Sequence, residues 1–260
     1  MSKRRRRMRE HQIILNNWSY QHYYDRLMEI AISTIDYDGM PDDVDQRFLE
    51  YTLATRGMAV FYKDDILAKY VALTTMIAPP LNIYNIPVNR TAFATNGYQY
   101  HCTNKDSVLI FNNYLRKPII SDLQYYAAKL YNIDRTIDIN VNGQKTPILI
   151  RCDENERLTM ENLYLEYDGN KPVIHGYKGL SEDSIKAIPT PAEYVSDKLY
   201  DLKLQVWNEA LTFLGVANTT QYKRERVIKS EIETSQGQVI ANRNVRVGIR
   251  QQACDKINRK

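Results

Sequence analysis

The chain has 260 residues, 43% of them hydrophobic and 25% charged, and its mean hydropathy is −0.51. This composition is typical of a folded globular protein and excludes collagen-like, low-complexity and disulfide-framework chains. The net charge of +4 is segregated into +6 on residues 1–9, −8 on residues 10–222 and +6 on residues 223–260, so the capacity to bind a polyanion is concentrated in two basic ends around an acidic body.

The first predicted elements are two helices. Apolar and aromatic side chains recur at helical spacing over residues 17–37, and Gly39 and Pro41 end this stretch. A second helix is predicted to run to about residue 55, with Gly57 as its C-cap. Three aspartates lie where this helix would begin, a position that suits carboxylates: Asp42, Asp43 and Asp45.

Short β-rich runs follow, separated by turn residues. They are predicted at residues 58–62, 67–76, 91–101 and 107–111. Several strands at this spacing indicate a small antiparallel barrel or sandwich.

The remaining chain returns to helices around a short α/β unit. A second long helix is predicted over residues 120–141, preceded by Pro118 and ended by Asn142 and Gly143. A third is predicted over residues 194–214, with Gly215 as its cap. Between them the pattern predicts a strand, a helix and a strand at residues 147–151, 158–167 and 172–175. After them it predicts a polar loop over residues 216–237 and a helix over residues 239–260 that is interrupted at Gly248.

The cysteines and the hydropathy pattern indicate the cellular compartment. Cys102, Cys152 and Cys254 form no CxxC pair, which favours a reducing compartment over a disulfide or zinc framework. The apolar run at residues 13–15 is too short for a signal peptide, and no stretch approaches the about 18 apolar residues of a membrane span. We therefore expect a cytosolic protein that is not embedded in a bilayer.

A search for reactive groups gives little support for an enzyme. No phosphate-binding loop of the GxxxxGK[ST] type is present, and the four histidines lack metal-site spacing. His101 and Cys102 are adjacent in a predicted strand, so their side chains should point to opposite faces. The aspartates at residues 42–45 fit either a helix cap or a divalent-cation site. We predict no catalytic residue, no metal and no cofactor. Two alternatives stay open: a monomeric RNA- or DNA-binding adaptor that uses the basic ends, and a nucleic-acid enzyme that uses the aspartate cluster with a metal and would lose its activity in Asp43→Ala.

A set of strings distributed through the chain is more specific than any single motif. They include Phe48-Leu49-Glu50, Phe61-Tyr62-Lys63-Asp64, Gln144-Lys145-Thr146-Pro147, Asp183-Ser184-Ile185, Asp197-Lys198-Leu199, Val206-Trp207-Asn208-Glu209, Thr212-Phe213-Leu214-Gly215 and Lys256-Ile257-Asn258. Together and in this order, they resemble the upper-collar proteins, the portals or head–tail connectors of small short-tailed bacteriophages.

The resemblance implies an α+β fold: three long channel-region helices, an SH3-like β-barrel wing, an α/β clip and a helical crown, assembling as a ring. Its segments are expected in the following order: residues 1–13 as a basic N-terminal tail, 14–57 as a stem helix and a following helix, 58–117 as the wing, 118–141 as a long stem helix, 142–193 as the clip, 194–215 as a channel helix, 216–236 as the channel (tunnel) loop and 237–260 as the crown helix.

The implied function is that of a conduit. Twelve subunits would form a channel at one capsid vertex of the virion, through which double-stranded DNA is packaged and later ejected, and would join the head to the tail. The implied partners are the major capsid and scaffolding proteins, the lower-collar or tail protein, and a packaging ATPase with a packaging RNA in some relatives. Assembly is expected in the host cytoplasm, and no membrane is involved.

The resemblance also implies site residues, all of them basic. Lys198 matches a channel lysine, and Lys223, Arg224 and Arg226 match basic positions of the channel loop. A second channel lysine of the family aligns with Pro189, and Lys186 is the basic residue nearest to it. The tail contact with packaging machinery or RNA would use Lys3, Arg4, Arg5, Arg6, Arg7 and Arg9. The alternatives are an outward or interface role for Lys198 and a solubilising role for the tail.

Overall fold

A computed structural model of the protein describes residues 3–144, 148–150, 185–187, 193–218 and 229–259, with side chains described over residues 18–142, 144, 193–218 and 236–259. The chain divides into two compact units, Met1–Ile133 with Leu202–Lys260, and Asp134–Asp201. The described residues form five helices and seven strands, a mixed α and β composition that agrees with the predicted class.

The helices are α1 Lys3–Ser33, α2 Gln46–Arg56, α3 Ile120–Gln144, α4 Ser196–Phe213 and α5 Lys229–Ile257. The strands are β1 Met58–Asp64, β2 Lys69–Thr74, β3 Asn89–Phe93, β4 Gln99–Thr103, β5 Ser107–Phe111, β6 Ile148–Ile150 and β7 Ile185–Ala187.

Three long helices form the main core of the larger unit. Its buried side chains recur at helical spacing on α1, α3 and α4. They include Leu27 and Ala31 of α1, Leu123, Ala127 and Leu130 of α3, and Val206 and Ala210 of α4. Each leucine buried in this way contributes about 1.5–3 kcal/mol relative to its exposed state. The apolar stripes read from the sequence therefore identify the packed faces of these helices.

Strands β1–β5 form one antiparallel sheet in the order β4-β3-β2-β1-β5. Its edges, β4 and β5, are consecutive in the chain and joined only by residues 104–106. Each residue of this connection extends at most about 3.5 Å. Neighbouring strands of a flat sheet lie about 4.8 Å apart, so the connection is too short to join the two edges of a flat five-stranded sheet. The sheet must therefore curl, and Arg90 of β3 donates to the Ser107 carbonyl oxygen of β5 at 2.7 Å across the interior. The ladder stays open between the two edges, so the predicted barrel is a curled sheet.

Both faces of β1 are buried, as the burial of six of its seven residues requires. Ala59 and Phe61 pack with α2, β5 and Ala253 of α5. Val60 and Tyr62 point to the inside of the curled sheet with Cys102. The period of two along the strand separates these two cores.

Three predicted helix ends are confirmed: the start and the end of α2 and the end of α4. Asp45 has an extended backbone, and its Oδ1 accepts a hydrogen bond from Phe48 N at 2.9 Å, so it is the N-cap of α2. Gly57 ends α2 with φ of 83°. Gly215 follows α4 with φ of 76°, and Val216 N donates to Leu211 O at 2.9 Å, which is the Schellman pattern.

Several predicted boundaries are wrong, and most err by making helices too short. α1 begins at Lys3 and ends at Ser33, rather than spanning residues 17–37, because arginine is a good helix former. α3 continues past Asn142 and Gly143 to Gln144.

The C-terminal helix also differs from the prediction. α5 begins at Lys229, inside the predicted loop, and runs through Gly248 without interruption. Glu231 and Glu233 lie near its start, where carboxylates favour a helix. A glycine costs a helix only about 1 kcal/mol. This cost is outweighed by the packing of α5 against the apolar side chains of α2, β1 and β5, which we call the second core.

In the smaller unit, β6 pairs with β7 in an antiparallel ladder. β6 lies within the predicted strand at residues 147–151, whereas β7 was not predicted. The predicted helix at residues 158–167 and the predicted strand at residues 172–175 lie outside the described residues.

Gly215 combines a left-handed backbone with a close helix contact, which gives a stability prediction. A Cβ atom there would lie 2.8 Å from Arg243 Cα of α5, whereas a Cβ at Gly39, with φ of 71°, would meet nothing within 4 Å. Gly39→Ala should cost only the left-handed strain of about 1–2 kcal/mol, while Gly215→Ala adds overpacking of about 1–3 kcal/mol. Urea unfolding of both variants measures the difference, and equal costs would contradict a close α4–α5 contact.

Candidate functional site

Lys198, the predicted channel lysine, lies in the first turn of α4 with an exposed side chain. It belongs to the smaller unit, Asp134–Asp201. Asp197 precedes it in the same turn and its Oδ1 accepts a hydrogen bond from Tyr194 OH at 3.3 Å. Lys198 is therefore a cation on the surface of this unit, in a position where solvent or a polyanion can reach it.

A single amide on α3 fixes the start of α4. Asn140 Oδ1 accepts hydrogen bonds from Val195 N at 3.1 Å and from Ser196 Oγ at 2.9 Å. Asn140 Nδ2 donates to Glu193 O at 2.8 Å. Ser196 is buried against this amide, although Asp197 and Lys198 after it are exposed. The position of Lys198 thus depends on α3 as well as on its own helix.

This arrangement predicts unequal effects of two substitutions at Asn140. Asn140→Asp keeps both acceptor contacts and adds a negative charge near a helix N-terminus, so it should leave the first turn of α4 nearly as stable as before. Asn140→Ala removes all three hydrogen bonds, each with a net worth of about 0.5–1.5 kcal/mol. Amide hydrogen exchange over residues 196–201 should then accelerate by roughly tenfold or more. Equal exchange in the two variants would show that Asn140 does not fix the helix start.

Of the other predicted channel residues, the structure describes only Lys186. Lys186 lies in β7, opposite Leu149 of β6. Lys223, Arg224 and Arg226, like Pro189, lie outside the described residues. Of the tail residues Lys3, Arg4, Arg5, Arg6, Arg7 and Arg9, the structure describes the backbone, which lies in the first turns of α1.

A buried charged cluster joins α2, α5 and the end of β5, and sequence reasoning missed it. Arg250 Nε and Nη2 donate to the two Glu50 carboxylate oxygens at 2.7 and 2.9 Å. Arg250 Nη1 also donates to the Asn112 carbonyl oxygen at 2.8 Å. Glu50 is fully buried and Arg250 is 2% exposed. This bidentate pair fastens the C-terminal helix to the second core.

Arg246 and Tyr37 complete the cluster. Arg246 Nη2 donates to the Ala31 carbonyl oxygen at 2.8 Å and lies 3.8 Å from Glu50 Oε2. Burial, with the nearby Arg250 charge, lowers the pKa of Arg246 to about 10. Tyr37 OH donates to Glu50 Oε1 at 2.6 Å, and burial together with that carboxylate raises the pKa of Tyr37. Two guanidinium groups thus share one carboxylate.

The charges of the cluster compensate one another in the protein interior. Burial acts to lower the pKa of Arg250, but the charge of Glu50 outweighs this effect and the pKa is raised. The exposed fraction of each charged side chain in the cluster is below a tenth. We assign the cluster the role of joining α5 to α2 and β5.

The other candidate reactive groups have structural partners. His101 is exposed and its Nδ1 lies 3.0 Å from Thr91 Oγ1, whereas Cys102 is buried on the opposite face of β4, as predicted. Burial raises the pKa of the Cys102 thiol, which disfavours the nucleophilic thiolate. Asp43 Oδ1 lies 2.8 Å from Lys69 Nζ, and Asp45 caps α2. Within the described ranges, no group of three or more His, Cys, Asp or Glu side chains could hold a metal ion.

Comparison with known proteins gives a family match over almost the whole chain. A family model described as Phage Connector (GP10) matches residues 3–260. Among solved structures, the portal and tail of native bacteriophage P68 matches with a TM-score of 0.49 and 16% identity, covering 95% of this chain and 84% of that chain. An HK97-family phage portal protein from Corynebacterium diphtheriae matches with a TM-score of 0.38 and 8% identity, covering 84% and 77%. In the part of the chain that the structure describes, no helix is long and apolar enough to cross a membrane.

Proposed function

Because the connector model covers residues 3–260, this chain belongs to the phage connector family, and we propose that it forms the ring through which double-stranded DNA enters and leaves the head. Connector proteins are structural components of the virion at the capsid vertex, where they join head and tail. The observation that carries the proposal is the extent of the family match, which spans both compact units.

The proposed assembly is a homododecamer made in the host cytoplasm. Ring closure requires a heterologous interface, in which one face of each subunit meets a different face of its neighbour. We propose residues 58–117 as the wing, 142–193 as the clip, 216–236 as the channel loop and 237–260 as the crown. α1, α3 and α4 supply the stem and channel helices.

The charge distribution supports a conduit that guides DNA without binding it tightly. Residues 10–222 carry a net −8, so a wall made from this part repels phosphate. Symmetry turns each inward basic side chain into a ring of positive charge that keeps the duplex centred. We propose Lys198, Lys223, Arg224 and Arg226 for such rings, with Lys186 in place of the lysine that the family has where Pro189 stands.

The remaining partners follow from the same proposal. The major capsid and scaffolding proteins surround the ring, and the lower-collar or tail protein joins one end of it. Residues 3–9 contact the packaging machinery or its RNA. A separate packaging ATPase supplies the force, because the chain contains no GxxxxGK[ST] loop. ATP hydrolysis by the purified chain, abolished by a point mutation in it, would contradict this division of labour.

The experiment that tests the proposal is complementation of a phage that lacks the gene. We expect gold-labelled chain at one vertex of each head, and DNA-filled heads only when the chain is supplied. DNA-filled heads that lack the chain would contradict the proposed function.

A further inference from the structure

The loop between β2 and β3 projects an uncharged apolar surface. Residues 76–87 contain no charged side chain. Ile83 is 88% exposed and Tyr84 is 69% exposed, so neither side chain belongs to a buried core. Leu81, Met76 and Ile77 of the same loop are exposed as well. A contiguous apolar surface of this kind marks an interaction site.

The loop holds its tip in one defined shape. Asn82 Oδ1 accepts hydrogen bonds from Tyr84 N and Ile86 N, both at 2.9 Å. Leu81 and Pro87 form an antiparallel bridge below the tip. Arg116 Nη1 donates to the Tyr84 carbonyl oxygen at 3.1 Å and ties the loop to the segment after β5. Because the tip is already ordered, little conformational entropy is lost when it binds.

An open cavity of about 430 Å³ lies in the same unit. Its apolar and aromatic lining comes from the segment before α2, from the sheet and from α5: Met40, Leu49, Phe61, Tyr70, Ile110 and Ile257. Cys254 of α5 also lines it. The volume falls within the about 300–1,000 Å³ of protein binding pockets, so the cavity has room for apolar side chains.

The β2–β3 loop and the cavity lie toward opposite ends of the same sheet. The cavity reaches Lys63, Tyr70 and Ser107, which are at or near the ends of β1, β2 and β5 on one side. The loop leaves β2 after Thr74, which pairs with Ala59 near the start of β1. A projection at one end and a cavity at the other can join identical chains only head to tail. This is the heterologous geometry that closes a ring.

The charges beside the two features are complementary along one part of the cavity lining. Arg116 and Lys117 flank the loop on the segment after β5. Residues 36–45, which contribute Asp38 and Pro41 to the cavity wall, contain five aspartates and no basic residue. Elsewhere the wall carries both signs, with Lys63, Lys105 and Asp106. Apposition of these segments between neighbouring copies would place opposite charges around an apolar contact, which favours one register over others.

We propose that the β2–β3 loop of one subunit inserts Ile83 and Tyr84 into the cavity of the next copy of this chain. This proposal rests on the proposed ring and names the contact that closes it. The occupant is a second copy, since projection, cavity and charge all belong to one chain and lie at opposite ends of one sheet.

Cys254 allows a direct test by disulfide cross-linking. In a Cys152→Ser background, Ile83→Cys should form dimers and higher species when assembled protein is oxidised with diamide, because the new thiol lies beside Cys254 of the neighbour. Ile139→Cys, at a residue of α3 that is 62% exposed and belongs neither to the loop nor to the cavity lining, is the matched control. A disulfide needs Cβ atoms about 4 Å apart, so we expect roughly tenfold more cross-linked product from Ile83→Cys than from Ile139→Cys. Adding Cys254→Ser should abolish the product.

The outcomes separate this proposal from the proposed function. Rings that assemble normally but give no Cys254-dependent product would overturn the loop contact and leave the ring in place, and the loop would then face another virion protein. Wild-type protein that forms no ring would contradict the proposed function, and the loop contact with it. Ile83→Asp provides a second readout: the variant should stay folded but fail to assemble, and normal rings from it would overturn the contact.

Discussion

Glu50→Gln is expected to lower the free energy of unfolding by about 3–5 kcal/mol. The substitution keeps the size of the side chain but removes the carboxylate that Arg250 and Arg246 share in the interior. Two buried guanidinium groups would then lack a counter-charge, which costs far more than the loss of one hydrogen bond. Urea denaturation followed by circular dichroism measures the change.

Asp43→Asn is the matched control for this prediction. It also replaces a carboxylate by an amide in an ion pair, but the Asp43–Lys69 pair is largely exposed and solvent screens it. We expect almost no change in the urea midpoint of Asp43→Asn. Similar midpoints for the two variants would show that the Glu50 cluster contributes no more to stability than a surface pair.

Lys198→Ala is expected to leave ring assembly intact and to weaken the interaction of the ring with DNA. Lys198 is exposed in the first turn of α4, so its removal leaves no cavity and no unpaired buried group. The logarithm of DNA affinity falls with the logarithm of salt concentration by about 0.9 for each phosphate contact. The slope should therefore decrease in Lys198→Ala by at least one such contact.

Lys69→Ala is the control for the DNA measurement, because Lys69 is an exposed lysine of the sheet that faces Asp43. It should leave the salt slope unchanged. If Lys198→Ala rings also keep the wild-type slope, Lys198 does not face the DNA. If the variant fails to assemble, Lys198 belongs to a subunit interface.

Local signals in the sequence predicted three helix ends correctly. Asp45, Gly57 and Gly215 act through hydrogen bonds or backbone angles within a few residues of themselves, so the chain near them determines their role. The periodic stripes of α1, α3 and α4 were equally informative, because the buried face of a helix is set by spacing along one segment.

Long-range contacts explain the predictions that were wrong. α5 continues through Gly248, where an added Cβ would lie 3.2 Å from Tyr114 OH, a contact made by a residue 134 positions earlier in the chain. β7 is only three residues long and is defined by pairing with β6 across 34 intervening residues. Neither feature has a signature in its own segment.

The charged cluster changes the interpretation of the basic C-terminal end. Residues 223–260 carry +6, but Arg246 and Arg250 are buried with Glu50 and are not available to DNA. From the sequence alone, every arginine was taken as surface charge. Burial of a charged side chain depends on partners far away in the chain, which the sequence does not reveal. The proposed channel charge therefore rests on other residues: Lys198, Lys223, Arg224 and Arg226.

The central claim is that this connector-family chain closes into a ring around a channel, and the mass of the purified protein in solution tests it most directly. Light scattering combined with negative-stain imaging should give the mass of twelve chains of 30.4 kDa and rings with a central hole. A monodisperse mass of one chain at every salt concentration, with no rings in the images, would contradict it.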